Sequence, residues 1–311
     1  MIGIVILTYN TWDETVQCIE SILKIKDCKY QVYVVDNAST QKISTECTKL
    51  IDGKLVKYIY VEVNGGYAKG NNVGIRYALQ DGCDAILIAN NDIVFTDNIF
   101  TPMYSYLSEN PNVGIVGPKV ILENGMSQQT QLGCKMTVRG KYLNILRKTP
   151  FRIFSKNFVN EFYIDIDSLK KERKVYGVSG CCFMVTAKCL EKIGLFDENT
   201  FLYEEENIIG CKMDNAGLET MLLPYCIVIH KHSQSTKHAK PFSFACIVES
   251  EMYYCRKYLH AARVSLLGLY LIRTIQYLVF SVKYSEYRKN IAGYFRKTFS
   301  MFSKSAANLG D

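Results

Sequence analysis

Short apolar runs alternate with amphipathic stretches through the first two-thirds of the chain. Residues 3–7, 32–35 and 84–89 are short and almost wholly apolar, as in strands buried on both faces of a sheet. After the first run, Thr11 with Glu14 three residues on predicts a capping box. Val16, Ile19, Ile22 and Leu23 then recur at helical spacing. A weaker helical pattern covers 42–50, alternation marks a strand at 58–63, and 71–80 reads as a helix. Asp97 is expected to cap another helix running to 108. Residues 113–122 read as a strand pair broken at Gly117-Pro118, and 180–185 as a strand leading into a short helix ended by Gly194. A helix follows at 204–216, ended by Gly217, and then a strand at 219–229. Residues 128–174 show no clean period and predict loops and a small subdomain over the site. Strands alternating with helices imply an α/β fold, a mostly parallel sheet with right-handed crossovers. No internal repeat or low-complexity linker interrupts it.

Three of these strands end alike. The first closes on Thr8-Tyr9-Asn10, the second on Asp36-Asn37-Ala38-Ser39, and the fourth on Asn90-Asn91-Asp92. Any one polar tip is an ordinary strand-to-helix cap. Three delivered to one edge of a sheet describe a ligand site at the carboxyl ends of the strands.

Composition narrows the class without naming it. At 311 residues, with 48% hydrophobic and 22% charged, the chain has ordinary globular composition and length for one α/β domain with an appendage. Twelve cysteines lie scattered, several inside strand or helix patterns and none as Cys-x-x-Cys, which suits buried thiols in a reducing cytosol. The first residues run straight into a strand, so no secretory signal is expected.

The chemistry-bearing residues fall into four groups. The segment Asn64-Gly65-Gly66-Tyr67-Ala68-Lys69-Gly70-Asn71-Asn72 matches neither the dinucleotide fingerprint nor the phosphate loop. Its glycines would let backbone approach a ligand, and a helix starting at Asn71 or Asn72 would offer N–H groups to an anion; a plain turn is the alternative. Asp92 suits a hard cation such as Mn2+ or Mg2+ bridging to a nucleoside diphosphate, or else a solvated turn. Asp36 suits N3–H of uracil or thymine, or else a helix cap. Glu204, Glu205 and Glu206 either complement a helix start or, flanked by apolar residues, supply a general base. His230 and His232 close the last strand beside Ser and Thr.

In this order the segments resemble glycosyltransferase family 2, the inverting enzymes of GT-A fold, and within it the rhamnosyl- and galactofuranosyl-transferase-like branch. The resemblance covers about residues 1–240. It implies that Asp36 and the first-strand end (Thr8, Tyr9, Asn10) hold the nucleoside, with the Asn64, Gly65, Gly66, Lys69, Asn71, Asn72 segment and Asn91 beside it. It places Asp92 at the last acid of the metal-binding Asp-x-Asp and Glu206 at the catalytic base, the second acid of a Glu-Asp pair. His230 matches the family histidine that approaches the metal or diphosphate; His232 does not. Two departures stand out. Asn90 replaces the first metal-site acid, and Glu206 replaces the usual Asp, which keeps Glu205 as a rival base.

The far C-terminus reads differently. Residues 264–282 are apolar over nearly the length of a membrane span, but Arg273 and Gln276 interrupt the middle, which favours a buried or interfacial helix. Beyond it, Tyr284, Tyr287, Ile291, Tyr294, Phe295, Phe299 and Phe302 recur at helical spacing, with Arg288, Lys289, Arg296, Lys297 and Lys304 at other positions. Such a segment suits an anionic membrane surface, or packing on the domain or on a second subunit in a homo-oligomer. No recognised nucleic-acid module accompanies the charge. The expectation is thus a transferase domain over 1–240 and a helical segment over 241–311. It would move a sugar from a UDP- or dTDP-sugar to a glycan on a lipid carrier, in the cytoplasm at the inner face of the membrane. A non-catalytic nucleotide-sugar-binding or assembly subunit is the alternative, because Asn90 and Glu206 depart from the pattern.

Overall fold

The computed structural model describes residues 1–147, 149–231 and 240–303. In chain order the strands are β1 (Ile2–Thr8), β2 (Tyr30–Asp36), β3 (Val56–Tyr60), β4 (Ala85–Asn90), β5 (Ile93–Val94), β6 (Val113–Leu122), β7 (Arg173–Val175), β8 (Cys182–Thr186) and β9 (Glu219–His230). The helices are α1 (Trp12–Leu23), α2 (Thr45–Ile51), α3 (Gly66–Gln80), α4 (Phe100–Glu109), α5 (Val138–Leu146), α6 (Lys156–Phe162), α7 (Ala187–Ile193), α8 (Glu205–Ala216), α9 (Lys240–Lys257), α10 (Arg263–Lys283), α11 (Ser285–Lys289) and α12 (Ile291–Ser303).

The strands form one sheet in the order β3-β2-β1-β4-β8-β6-β9-β5, with β7 paired to β9. The first four neighbours are all parallel, as βαβ units require. The other half is mixed: β8 runs antiparallel to both β4 and β6, while β6 and β9 are parallel. Alternate residues of the central strands serve two cores. Ile4, Val34 and Leu87 face α1 and α4, whereas Val5, Val35 and Ile88 face α3 and α7. Burial on both faces is why these strands carry unbroken apolar runs, each large side chain contributing roughly 1.5–3 kcal/mol.

Several local expectations change. Residues 113–122 are one strand, not a pair; an irregularity between Pro118 and Lys119 absorbs the residues that pair poorly at proline. The Thr11 side chain makes no cap to α1, because its hydroxyl accepts from Asn91 Nδ2 at 2.6 Å. Asn98, not Asp97, caps α4, its Oδ1 accepting from Phe100 and Thr101 N–H. Residues 128–174 hold α5 and α6 rather than loops alone. Ten of the twelve cysteines are buried, and all are free thiols.

A third core lies outside the sheet. Leu132, Met136 and Phe162 meet Ile208 and Cys211 of α8 and Tyr254, Leu269, Tyr277, Tyr287 and Tyr294 of the C-terminal helices. The C-terminal helices therefore share their packing with the helix that carries Glu205 and Glu206. Of the two readings for Tyr287 and Tyr294, a membrane face or packing on the domain, the second holds: both are buried there.

Candidate active site

Register brings the polar tips together. Thr8 pairs with Asp36 across β1 and β2, and Leu7 pairs with Asn90 across β1 and β4. Antiparallel β8 delivers its preceding residues to the same edge, where Asn90 N–H donates to Cys181 O at 2.8 Å. The end of β9 arrives beside β5, with Ile93 opposite His230 and Lys231 N–H donating to Asp92 O.

Within this edge the expected nucleotide residues divide in two. Tyr9 and Lys69 are exposed and Asn64 and Gly65 half-buried, all open to a ligand. Asp36 is buried; its Oδ1 accepts from Ser39 N–H and its Oδ2 from Tyr58 Oη, so it braces the tip and caps no helix. Each carboxylate oxygen keeps a further lone pair. The others are internal ties. Thr8 Oγ1 accepts from Thr15 and lies beside Asn91, whose Nδ2 reaches Thr11 and Thr15. Asn10, at φ 58°, closes the 39–41 loop through its Oδ1. Asn72, fully buried, exchanges hydrogen bonds with Phe196 and donates to Glu198.

The glycine segment also differs from expectation. Helix α3 starts at Gly66, so Asn71 and Asn72 lie in its second turn and offer no free N–H. The N–H groups at its true start are engaged: Gly65 with Asn37, Gly66 with Asn64, and Tyr67 with Phe201 O at 2.8 Å. Gly66 sits at φ 82°, and a Cβ there would come within 2.1 Å of Phe201 O. Glycine is thus required for the helix start to meet the loop before α8.

Asp92 and His230 form the cation-seeking corner. Asp92 Oδ1 lies 3.2 Å from His230 Nε2, and His230 Nδ1 lies 2.7 Å from Gln128 Oε1. Burial opposes the imidazolium, but hydrogen bonds to Asp92 and Cys181 outweigh it and raise its pKa to about 10. Among the described residues no three His, Cys, Asp or Glu side chains converge as a metal cluster. An ion at this corner would have to displace the imidazolium proton; Nε2 and Asp92 would then be two donors, a composition that Mn2+ and Mg2+ accept with diphosphate oxygens and water completing the shell. His232 lies outside the described residues.

Glu205 and Glu206 occupy the first turn of α8, Glu205 buried and Glu206 half-buried. Glu206 Oε1 accepts from Gly180 N–H at 3.0 Å. A Cβ at residue 180 would stand 2.7 Å from that oxygen and push the Glu206 carboxylate aside. Burial raises both carboxyls above the usual range; Glu206 raises Glu205 further. The 180–181 segment is the bridge of the site, touching Glu206 through Gly180 and Asn90 and His230 through Cys181. Sequence reading missed Tyr67, whose hydroxyl donates to Gly180 O at 2.5 Å, and Lys141, which pairs with Glu204. Lys141 lies in a stretch without period, so only contacts reveal it.

The profile described as Glycosyl transferase family 2 matches residues 3–194, more than half of the chain. The chain belongs to glycosyl transferase family 2. The match covers the three polar strand tips, Asp92 included, of this family 2 member; Glu205, Glu206 and His230 lie beyond it. Low-salt glycan biosynthesis hexosyltransferase Agl10 of Haloferax volcanii is 24% identical over 174 residues, covering 56% of this chain and 50% of that protein, so the chain spans half of that relative's length. The N-acetylglucosaminyl-diphospho-decaprenol L-rhamnosyltransferase of Mycobacterium tuberculosis is 22% identical over 244 residues, 76% of this chain and 78% of that one. The dTDP-rhamnosyl transferase RfbF of Shigella flexneri is 25% identical over 229 residues, 73% and 67% respectively. These relatives are consistent with the rhamnosyltransferase-like branch.

Solved structures agree on the fold. Mannosyltransferase PcManGT from Pyrobaculum calidifontis, solved with GDP-Man and Mn2+, superposes with TM-score 0.55 at 13% identity, covering 98% of this chain and 88% of that one. GalNAc-T7, solved with UDP, GalNAc and Mn2+, gives TM-score 0.57 at 15% identity over 76% of this chain and 44% of that one. The fold is GT-A, a mixed sheet flanked by helices, with a C-terminal helical region.

Proposed function

We propose that this family 2 transferase moves a sugar, with inversion, from a UDP- or dTDP-sugar to a hydroxyl of a lipid-linked polysaccharide intermediate. The observation that carries the reading is the 180–181 bridge, which joins the half-buried Glu206 carboxylate to the Asp92–His230 corner. Glu206 accepts the acceptor's hydroxyl proton. The freed oxygen attacks the anomeric carbon from the face opposite the diphosphate, and the bond to the diphosphate breaks with its electron pair leaving on that group. Asp92 and His230 are the residues that would hold Mn2+ or Mg2+, whose chemistry there is to neutralise diphosphate charge. Asp36, Tyr9 and Lys69 line the nucleotide side. The names of RfbF and of the mycobacterial relative support a dTDP-sugar donor and a diphospho-lipid acceptor. A panel of UDP- and dTDP-sugars should contain one that raises the melting temperature only with Mn2+ or Mg2+ present. A panel without any such donor would sink the reading.

For location we propose the surface of an anionic membrane, on the cytoplasmic side. Helix α10 is the one helix among the described residues long and apolar enough to span, yet its two sides differ. Val264, Leu267, Leu271, Ile275, Leu278 and Val282 form an exposed apolar stripe, whereas Leu269 and Tyr277 are buried. Arg273 is on neither extreme: its guanidinium pairs with Glu251 of α9. A helix lying in the interface accommodates this arrangement better than a span. Lys297 pairs with Glu249 and so is not a lipid-facing charge; Arg288, Lys289 and Arg296 are exposed. Co-sedimentation with phosphatidylserine vesicles should drop on Leu271→Asp with Ile275→Asp, and on charge reversal at Arg288, Lys289 and Arg296. Undiminished sedimentation of both variants would remove the membrane assignment.

A further inference from the structure

The residues that lead into α8 hold a backbone conformation that their side chains disfavour. Tyr203 and Glu204 sit at φ 75° and 71°, consecutive left-handed residues directly before Glu205. A residue with a Cβ keeps that conformation only where its surroundings enforce it.

The surroundings here are a buried series of charges. Lys141 of α5 places Nζ 2.5 and 2.6 Å from the two carboxylate oxygens of Glu204, with both side chains less than a tenth exposed. The same ammonium lies 4.0 Å from Glu251 of α9. Glu251 in turn receives Nε and Nη2 of Arg273 on α10 at 2.7 and 2.8 Å. Two cations thus balance two carboxylates, the condition under which charge is tolerated in a protein interior. Burial alone would lower the Lys141 pKa; Glu204 and Glu251 more than compensate, so it stays charged. Asn207 Nδ2 also donates to Glu204, and Ser250 of α9 donates to Leu202 O at 2.7 Å. Nothing in this cluster touches the nucleotide edge, so the reaction itself leaves it without a role.

We propose that the Lys141–Glu204 pair, extended through Glu251 to Arg273, is a positioning device that fixes the left-handed turn at Glu204 and so aims Glu205 and Glu206. Relaxation of residue 204 to right-handed helix would swing φ by about 130°. The first turn of α8 would rotate and Glu206 would leave the Gly180 N–H. The C-terminal helix is on this account a buttress of the active site, and Arg273 is a positioning residue. The assignment rests on Glu206 being the base.

Glycine distinguishes a backbone role from a merely electrostatic one, because it adopts the left-handed region without steric penalty. Two double variants remove the pair together and leave no lone charge: Lys141→Met with Glu204→Ala, and Lys141→Met with Glu204→Gly. The alanine form should lose tenfold or more in kcat with donor KM unchanged, and its amides over residues 203–208 should exchange hydrogen faster. The glycine form should recover most of the lost kcat. Equal impairment of the two, or wild-type kcat and exchange in the alanine form, would overturn the proposal. Hydrogen exchange needs no turnover: if the wild type transfers no sugar yet exchange responds as stated, the base assignment fails and the positioning role stands. Arg273→Lys keeps the charge and loses the two-pronged contact, so it remains informative even if the alanine form does not fold. It should speed exchange at the same amides, and unchanged exchange there would overturn the extension to α10.

Discussion

Replacing Glu206 by Gln should lower transfer by roughly 10²–10⁴ while leaving donor affinity nearly unchanged. Gln keeps the shape and can still accept from Gly180 N–H, but it cannot take the acceptor's proton. Glu205→Gln is the control for register, since both carboxylates lie in one turn of α8. If Glu205→Gln abolishes transfer and Glu206→Gln does not, the two roles are exchanged. The pH dependence has a definite sign. Burial raises both carboxyls, and a base works only when ionised, so kcat should rise with pH above the ordinary carboxylate range and then level. Stability should move the other way. A raised folded-state pKa contributes stability that is fully present below the unfolded value and is lost as pH rises through the folded one. The melting temperature of Glu206→Gln relative to the parent should therefore climb as pH increases, which thermal scans at several pH values would measure.

Asp92→Asn should reduce turnover by a factor on the order of 10² or more and weaken the dependence on added Mn2+. The substitution removes the negative charge at the corner where Asp92 faces His230 at 3.2 Å, and Asn90 supplies no second carboxylate nearby in sequence. The backbone contact that anchors this tip, Asp92 O accepting from Lys231 N–H, does not depend on the side chain, so the fold should persist. The measurement is kcat/KM for donor across a Mn2+ titration, with circular dichroism confirming folding. Wild-type activity in Asp92→Asn, or full activity of the parent in EDTA, would remove the metal from the reading.

What the sequence conveyed follows from how local each signal is. The parallel half of the sheet was legible because strands buried on both faces leave unbroken apolar runs, and their polar tips then had to share an edge. Thr8 opposite Asp36 is that inference realised. The placement of β8 antiparallel inside the sheet was not legible, since no local pattern states which neighbour a strand will choose. Helix α1 starts after Thr11 as expected but without the side-chain cap, because the Thr11 hydroxyl is taken by Asn91, whereas α3 begins five residues early, where Gly66 and Phe201 meet. Among the candidate residues, type and order pointed to one edge, where the structure gathers them, but the division between exposed Tyr9 and internal Asn72 depends on burial. The aromatic spacing of Tyr287 and Tyr294 was correctly helical, and its partner was protein rather than lipid.

The third core also bears on the order in which the molecule is made. Ile208 and Cys211 of α8 find their covering side chains on helices that begin at Lys240. At about 5–20 residues per second of synthesis, residue 303 follows His230 by roughly 4–15 s. Throughout that interval the parallel half of the sheet can already have folded, but the helix bearing the carboxylates has no roof. A nascent chain thus lacks the packing that supports Glu205 and Glu206 until helices α9–α12 have been made.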